Sequence, residues 1–344
     1  MAADRQGGAG EDGLTATLTW TPLMNWSNAV SLAAVAFAAV FSSAQAQDFP
    51  TRQVHIVVPF PAGGGGDLVV RAVAVRLSEQ MNQSIVVENK VGAGGNIGAE
   101  LVARSKPDGY LLLEGGDHLT LSKALYKKLN YDTFRDLVPI AGLSVGPHVL
   151  LAHPSFEANN LAELIAAAKA KPGTIAIATP GIGTAQDLFA SLLKSSADVN
   201  VLTVPYKGGA ALLQDVLGGQ VPVGVIGLAP AMTYIKSGKL KALAVTTPKR
   251  SAILPSVASA SETVPGLTSV QWISLMAPAG TPEKVVARLA AETKKALEHN
   301  QVREFFASSG LETFPLGPAE LAKFMQDDFA AFESAVKRTG IKVE

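Results

Sequence analysis

The chain contains no cysteine. That removes disulfides, thiolate metal sites, a cysteine nucleophile and a cysteine-linked lipid anchor. It also lacks net charge: 29 Lys and Arg are matched by 29 Asp and Glu across 344 residues. A nucleic-acid binder needs a basic face to displace counterions, so that class is set aside. Charged residues are sparse at 17%, against 48% apolar residues. This balance supports a packed core and excludes wholesale disorder. The length suits two domains of ordinary size.

The apolar run Ala29–Phe41 is 13 residues long, short of the roughly 20 needed to cross a bilayer. Ser42, Ser43 and the small-x-small triplet Ala44-Gln45-Ala46 follow it. The pattern is that of a secretory signal peptide cut after Ala46, with residues 1–46 as leader and signal peptide. Arg5 is the only basic residue ahead of the run, and Met24 offers an alternative start. Removing Asp4, Arg5, Glu11 and Asp12 with the leader leaves 28 basic and 26 acidic residues. The product expected is an exported protein, periplasmic in a bacterium.

What the sequence has in plenty is glycine, 32 residues, many of them clustered. Clustered glycine lets the backbone approach a ligand closely. Short β-rich runs such as Val54–Val58, Ile85–Glu88 and Tyr110–Leu113 alternate with helical patterns such as Asp67–Gln80, Asn96–Arg104 and Leu161–Ala170. The same alternation continues through Thr174–Ala178, Val201–Val204, Val221–Ile226, Leu240–Thr246 and Val270–Ala277. It points to an α/β fold with mainly parallel sheets flanked by helices. Ligands in such folds sit beyond the carboxyl ends of the strands.

Three post-strand loops therefore stand out. Pro59–Asp67 (PFPAGGGGD) follows the first strand and opens a helix. Free backbone N–H groups at a helix start make an anion site, and Asp67 reads as the N-cap that orders the loop. Val91–Gly98 (VGAGGNIG) either helps shape the site or packs strand closely against helix, with packing the reading slightly favoured. Thr179–Thr184 (TPGIGT) repeats the logic of the first loop about 115 residues later. Two anion-competent loops, one in each half, suit a ligand clamped between two lobes. Gly115-Gly116-Asp117-His118 follows the third strand at the same sheet edge, where His118 could donate a hydrogen bond to an anion.

Enzyme signatures mostly fail. Neither glycine loop fits Gly-x-Gly-x-x-Gly, and neither a Walker loop nor His-Glu-x-x-His occurs. Gly142-Leu143-Ser144-Val145-Gly146 has the nucleophile-elbow spacing, but a helix must follow such a serine and Pro147-His148 does not start one. The five histidines show no paired metal spacing, so neither metal nor cofactor is expected.

The segments IVVPFPAGGGGD (56–67), VVENKVGAGGNIGAE (86–100), KPDGYLLL (106–113), VPYKGGAALLQDVLGGQV (204–221), SGKLKALAVTTPKRSAILPSV (237–257) and APAGTP (277–282) occur in this order. Together they resemble the Bug family of extracytoplasmic solute receptors, the TctC-like binding proteins of tripartite tricarboxylate transporters. The resemblance runs from about Phe49 to Ile341. It implies a two-lobed periplasmic binding protein fold of type II-like organisation with a double crossover hinge. Lobe 1 would comprise 48–147 plus 270–344, and lobe 2 148–269. It implies a receptor rather than an enzyme, binding a small di- or tricarboxylate or an aromatic acid. The implied partners are that carboxylate and the membrane components of a transporter or a sensor, with the protein itself a monomer. A secreted α/β enzyme acting on a small acid, and an orphan or sensing protein, are the competing readings.

By position, the resemblance assigns one ligand carboxylate to Phe60, Ala62, Gly63, Gly64, Gly65, Gly66 and Asp67. Thr179, Gly181, Gly183 and Thr184 would face it, with Gly115, Gly116, Asp117 and His118 lining the same cleft and Tyr206 and Gly227 adding to its wall. The chain departs from the family pattern at Asp187-Leu188 for His-Leu, at Ser122-Lys123 for Asn-Pro, and at Val225-Ile226 for Phe-Asp. The small apolar Val-Ile-Gly wall implies a ligand whose distal half is apolar, bulkier or aromatic.

Overall fold

A computed structural model describes residues 49–341. The leader and the cut after Ala46 lie outside the described residues. Strand β1 (Val54–Val58) is apolar but for His55 because it lies inside a sheet, between β2 (Ile85–Asn89) and β3 (Leu111–Gly116), and is parallel to both. Helix α1 (Gly65–Met81) connects β1 to β2. It buries Val69, Val70, Val73, Ala74, Leu77 and Met81, a stripe at helical spacing, and closes on Asn82 in the left-handed conformation. Helix α2 (Asn96–Ala103) joins β2 to β3, and α3 (Asp117–Leu125) starts where β3 ends.

Two strands run against this grain. The 16-residue β4 (Leu137–Ala152) and β9 (Val270–Pro278) pair antiparallel, and β9 also pairs antiparallel with β3. The carboxyl-side part of β4 belongs to a different ladder. Up to Pro147 its partner is β9, and from His148 its partners are β7 (Val223–Gly227) and β8 (Lys241–Val245). Beyond β7 lie β5 (Ala176–Thr179) and β6 (Leu202–Pro205), parallel to each other, with β5 also parallel to β7. The order is β2-β1-β3-β9-β4-β7-β5-β6, with β8 and the two-residue β10 (Glu312–Thr313) paired to β4. Parallel pairing thus occurs at both flanks, and antiparallel pairing where β4 and β9 link them.

Helix α4 (Leu161–Ala170) follows β4, α5 (Ala185–Ala197) follows β5, α6 (Gly209–Leu217) follows β6 and α7 (Leu228–Lys236) follows β7. After β8 come the one-turn α8 (Ala260–Thr263), β9, and the helices α9 (Glu283–Glu298), α10 (Asn300–Ser309) and α11 (Pro318–Thr339). One apolar cluster joins α1 to β1, β4, α9 and α10, and another joins α4, α5 and β7 to α11. No helix among the described residues is long and apolar enough to cross a membrane. Ser144 lies buried in the middle of β4, paired with Ile273 and Thr313, with no helix after it, so the nucleophile-elbow spacing has no structural counterpart.

Candidate functional site

The loop after β1 gives up its side chains and offers its backbone. Gly64 is the N-cap of α1, which corrects the assignment of that position to Asp67. Asp67 is the third residue of the helix, and its carboxylate reaches back to accept from Gly63 N–H at 3.0 Å. It also accepts from Arg71 Nε at 2.9 and 3.0 Å and from Asn89 Nδ2 at 2.9 Å. Asn89 Nδ2 donates in turn to Phe60 C=O at 2.8 Å, tying the loop to the end of β2. Burial pushes the Asp67 carboxyl up, but the hydrogen bonds from Arg71, Gly63 and Asn89 and the Arg71 charge outweigh it and hold the group below its ordinary value. The first-turn N–H groups of Gly65 and Gly66 have no acceptor inside the helix.

The loop after β5 has the same build. Thr184 caps α5, its Oγ1 accepting from Asp187 N–H at 3.3 Å. Asp187 is again the third helical residue, and its carboxylate accepts from Gly183 N–H at 3.1 Å and from Thr179 Oγ1 at 3.4 Å. Ala185 and Gln186 keep their first-turn N–H groups free of helical acceptors.

Both helix starts open on one cavity. Its lining takes Phe60, Pro61, Gly64, Gly65 and Gly66 from the first loop and Pro180, Thr184, Ala185 and Gln186 from the second. Gly209 at the start of α6 and Gly227 at the N-cap of α7 complete a ring of helix N-termini, each a partial positive charge. The remaining lining residues are Glu114, Asp117, His118, Ile226, Gln271 and Ile273. About 640 Å³ of space lies between these residues, part of it open to solvent. No Lys or Arg lines it.

The side chains in this cavity are buried and poorly partnered. Gln271 sits between the two halves of the lining: a Cβ on Gly227 would meet its Oε1 at 2.5 Å, and one on Gly65 would meet its Nε2 at 3.2 Å. The Gln271 Oε1, Glu114 Oε2 and His118 Nε2 atoms are buried without hydrogen-bond partners. Burial pushes the His118 imidazole down to about 4, against a smaller upward pull from Asp117, so the ring is neutral near pH 7. Its edge meets Phe60 with ring centroids 5.0 Å apart. Burial, reinforced by the nearby Asp117 and Asp67 charges, pushes the Glu114 carboxyl well above its ordinary value.

Of the residues singled out from the sequence, Phe60, Gly64, Gly65, Gly66, Asp117, His118, Thr184 and Gly227 line this cavity. Ala62, Gly63, Asp67, Gly115, Gly116, Thr179, Gly181, Gly183 and Tyr206 are not part of the lining. Several of them make contacts within the fold. Gly63 and Gly183 give their N–H groups to Asp67 and Asp187. Gly115 and Gly116 lie against β9, where a Cβ would meet Met276 Cγ at 2.6 Å or Trp272 C=O at 2.7 Å. The Tyr206 hydroxyl donates to Asp215 Oδ2 at 2.7 Å. Gly98 serves close packing, since its Cβ would meet Pro59 Cβ at 2.9 Å. Glu114, Gln186, Gly209, Gln271 and Ile273 join the site without having been singled out. The visible trace of the first was a charged residue ending the apolar run LLLEGG, and of Gln271 an amide inside VQWISLMAP.

Residues 69–341 match the family model described as tripartite tricarboxylate transporter family receptor, TctC. Several solved structures share the fold at appreciable identity, the following three among them. The periplasmic binding protein BugD is 34% identical, with a TM-score of 0.82 over 86% of this chain and 100% of that one. Rpa4515 from R. palustris with adipate is 31% identical, with a TM-score of 0.82 over 86% and 99%. MatC (Rpa3494) from Rhodopseudomonas palustris with bound malate is 32% identical, with a TM-score of 0.79 over 84% and 100%. The chain therefore belongs to the TctC family of tripartite tricarboxylate transporter receptors, a family of solute-binding proteins and not of enzymes.

Proposed function

We propose that the protein is a periplasmic receptor, exported after cleavage at Ala46, that captures a small organic carboxylate and presents it to the membrane components of a tripartite tricarboxylate-type transporter. The observation that carries this reading is the meeting of two helix starts on one cavity, Gly65 and Gly66 opposite Ala185 and Gln186, with no Lys or Arg beside them. Main-chain donors at a helix N-terminus hold an anion through orphan N–H groups and the helix dipole. They have no side-chain pKa, so capture requires no protonation of the protein.

The ligand would lie between two lobes, 48–147 with 270–344 and 148–269, and the monomer would hinge shut on it. The change of ladder in β4 between Pro147 and His148 supports a hinge there. Phe60, Ile226 and Ile273 would cover the apolar end of the ligand. Adipate in Rpa4515 and malate in MatC support a small organic acid as the ligand here.

A thermal-shift panel of adipate, malate, benzoate-type acids and citrate tests the reading. Saturation at 100 times the dissociation constant stabilises the folded state by about 2.7 kcal/mol. We expect a clear rise in Tm, with benzoate-type acids ahead of citrate. Citrate ahead would reject the apolar end, and no shift with any organic acid would reject the receptor reading.

A further inference from the structure

Each half of the chain lends the other a helix. The apolar cluster around α4 and α5 draws almost wholly on residues 148–269. Among the described residues, its only buried members from outside that range are Leu121 and Leu125 of α3 and Phe332 and Ala335 of α11. The cluster around α1, β1, α9 and α10 draws on the rest of the chain, with one buried exception, Ala229 of α7. Leu228 and Met232 of the same helix lie against Gly310 at the end of α10, where a Cβ would meet each of them at 2.6 Å. At the far end of α7, Lys236 Nζ donates to Ser308 C=O at 3.2 Å.

The two exchanged helices are alike in a second respect. Each has nine residues and starts on the cavity, α3 with Asp117 and His118 and α7 at its N-cap Gly227. A helix of that length is a rod of about 14 Å, so one end meets the ligand space while the other is sunk in the opposite core. Helix α11 reinforces α3. Its Asp328 accepts from Thr120 Oγ1 on α3 and from Trp272 Nε1 on β9. Its first half packs with Val57, Leu113 and Trp272 through Leu321 and Met325, and its second half enters the α4–α5 cluster.

We propose that α3 and α7 are paired straps that limit how far the cleft opens. This rests on the two-lobed reading above and concerns the empty state of the protein. Moving the lobes apart would draw Leu121 and Leu125 out of one core and Ala229 out of the other. Uncovering buried apolar side chains is unfavourable. The empty protein is therefore held near its closed arrangement, and the affinity it shows is reduced less by an open population.

The lack of native cysteine permits a direct test by site-specific labelling. Leu101 on α2 and Leu202 on β6 are exposed and off the cavity lining. Spin labels on Leu101→Cys and Leu202→Cys read the distance between the lobes by pulsed electron spin resonance. The mature protein is measured without added acid. Leu125→Ala and Met232→Ala each trim a strap where it is anchored, and neither residue lines the cavity. We expect each to move the distance distribution to longer values, and the double variant to move it further. Leu164→Ala, in the same cluster as Leu125 but on α4, should lower Tm and leave the distances unmoved. Unmoved distances in either strap variant, or an equal shift in Leu164→Ala, would overturn the proposal. Should an alanine variant fail to fold, Leu125→Val or Met232→Val takes its place with the same two outcomes. No acid enters this measurement, so the receptor reading stands or falls separately, by the thermal-shift panel.

Discussion

Asp67 and Asp187 occupy the same place in two halves of the chain. Each is the third residue of a helix, and each carboxylate accepts from a glycine N–H four residues earlier, Gly63 at 3.0 Å or Gly183 at 3.1 Å. Those glycines share a left-handed backbone, with φ of +80° and +74°. The surroundings differ. Asp67 is paired with Arg71 and Asn89, which hold it ionised, and its helix is capped by a glycine. Asp187 has only the Thr179 hydroxyl and a loop N–H; burial outweighs both and raises its pKa, and its helix is capped by Thr184. One turn geometry is thus stabilised by charge on one side of the cavity and by neutral contacts on the other. On the charged side the helix start that lines the cavity is Gly64, Gly65 and Gly66, with no side chain of its own.

The largest expected effect separates these two solutions. Asp67→Ala strands the Gly63 N–H and removes the partner of Arg71, and urea unfolding should show a loss of about 3 kcal/mol. Asp187→Ala strands the Gly183 N–H but leaves no cation without its partner, and should cost less, about 2 kcal/mol. Equal costs would break the comparison.

A second test probes the glycines. Alanine is strained at both positive-φ positions by about 1 kcal/mol. A Cβ at Gly63 meets nothing within 4 Å, whereas one at Gly183 stands 3.0 Å from the Tyr126 hydroxyl. Gly183→Ala should therefore be the more destabilising by thermal melting, and the reverse order would show that the two turns are not equivalent.

The pH dependence of stability sharpens the same contrast. A carboxylate with a depressed folded pKa, such as Asp67, contributes stability at neutral pH that is lost in acid. A carboxylate with a raised folded pKa, such as Asp187, contributes stability while protonated and loses it as pH rises beyond the ordinary carboxylate value. Asp67→Asn should lower the urea midpoint at pH 7 more than at pH 3, and Asp187→Asn should do the opposite or leave it unchanged at pH 7.

Behind the cavity, Asp328 accepts from Trp272 Nε1 at 2.9 Å and from Thr120 Oγ1, and burial pushes it up to about 6. Trp272 is the sole tryptophan after Ala46. The smallest effect we expect is an inflection in its emission near pH 6, absent in Asp328→Asn; an unchanged inflection in that variant would assign it to another group.

Much of this arrangement could be read from residue order alone. The bounds of β1 and α4 coincide with Val54–Val58 and Leu161–Ala170, where apolar runs end at sharp punctuation such as Pro59 or Lys171-Pro172-Gly173. The glycine loops announced helix starts, which line one cavity here, because glycine clustering and a following helix are local features. The first half of β4 was not legible: Pro139, Gly142 and Gly146 break its pattern, and it is held by a ladder to β9 more than 120 residues away. Gln271 and Ile273 reach the cavity through that same long-range pairing, which no local signal encodes. Thr179 and Gly183 were read as facing the ligand; their donation to the Asp187 carboxylate is a contact that the loop sequence alone does not announce.

The central claim is that main-chain N–H groups grip the acid. A crystal structure of the acid-bound protein tests it most directly. We predict a ligand carboxylate oxygen about 2.9 Å from the Gly65 or Gly66 nitrogen, with Ala185 or Gln186 N–H closing on the ligand from the other side. A carboxylate held by side chains alone, with Gly64–Gly66 far from its oxygens, would contradict the account.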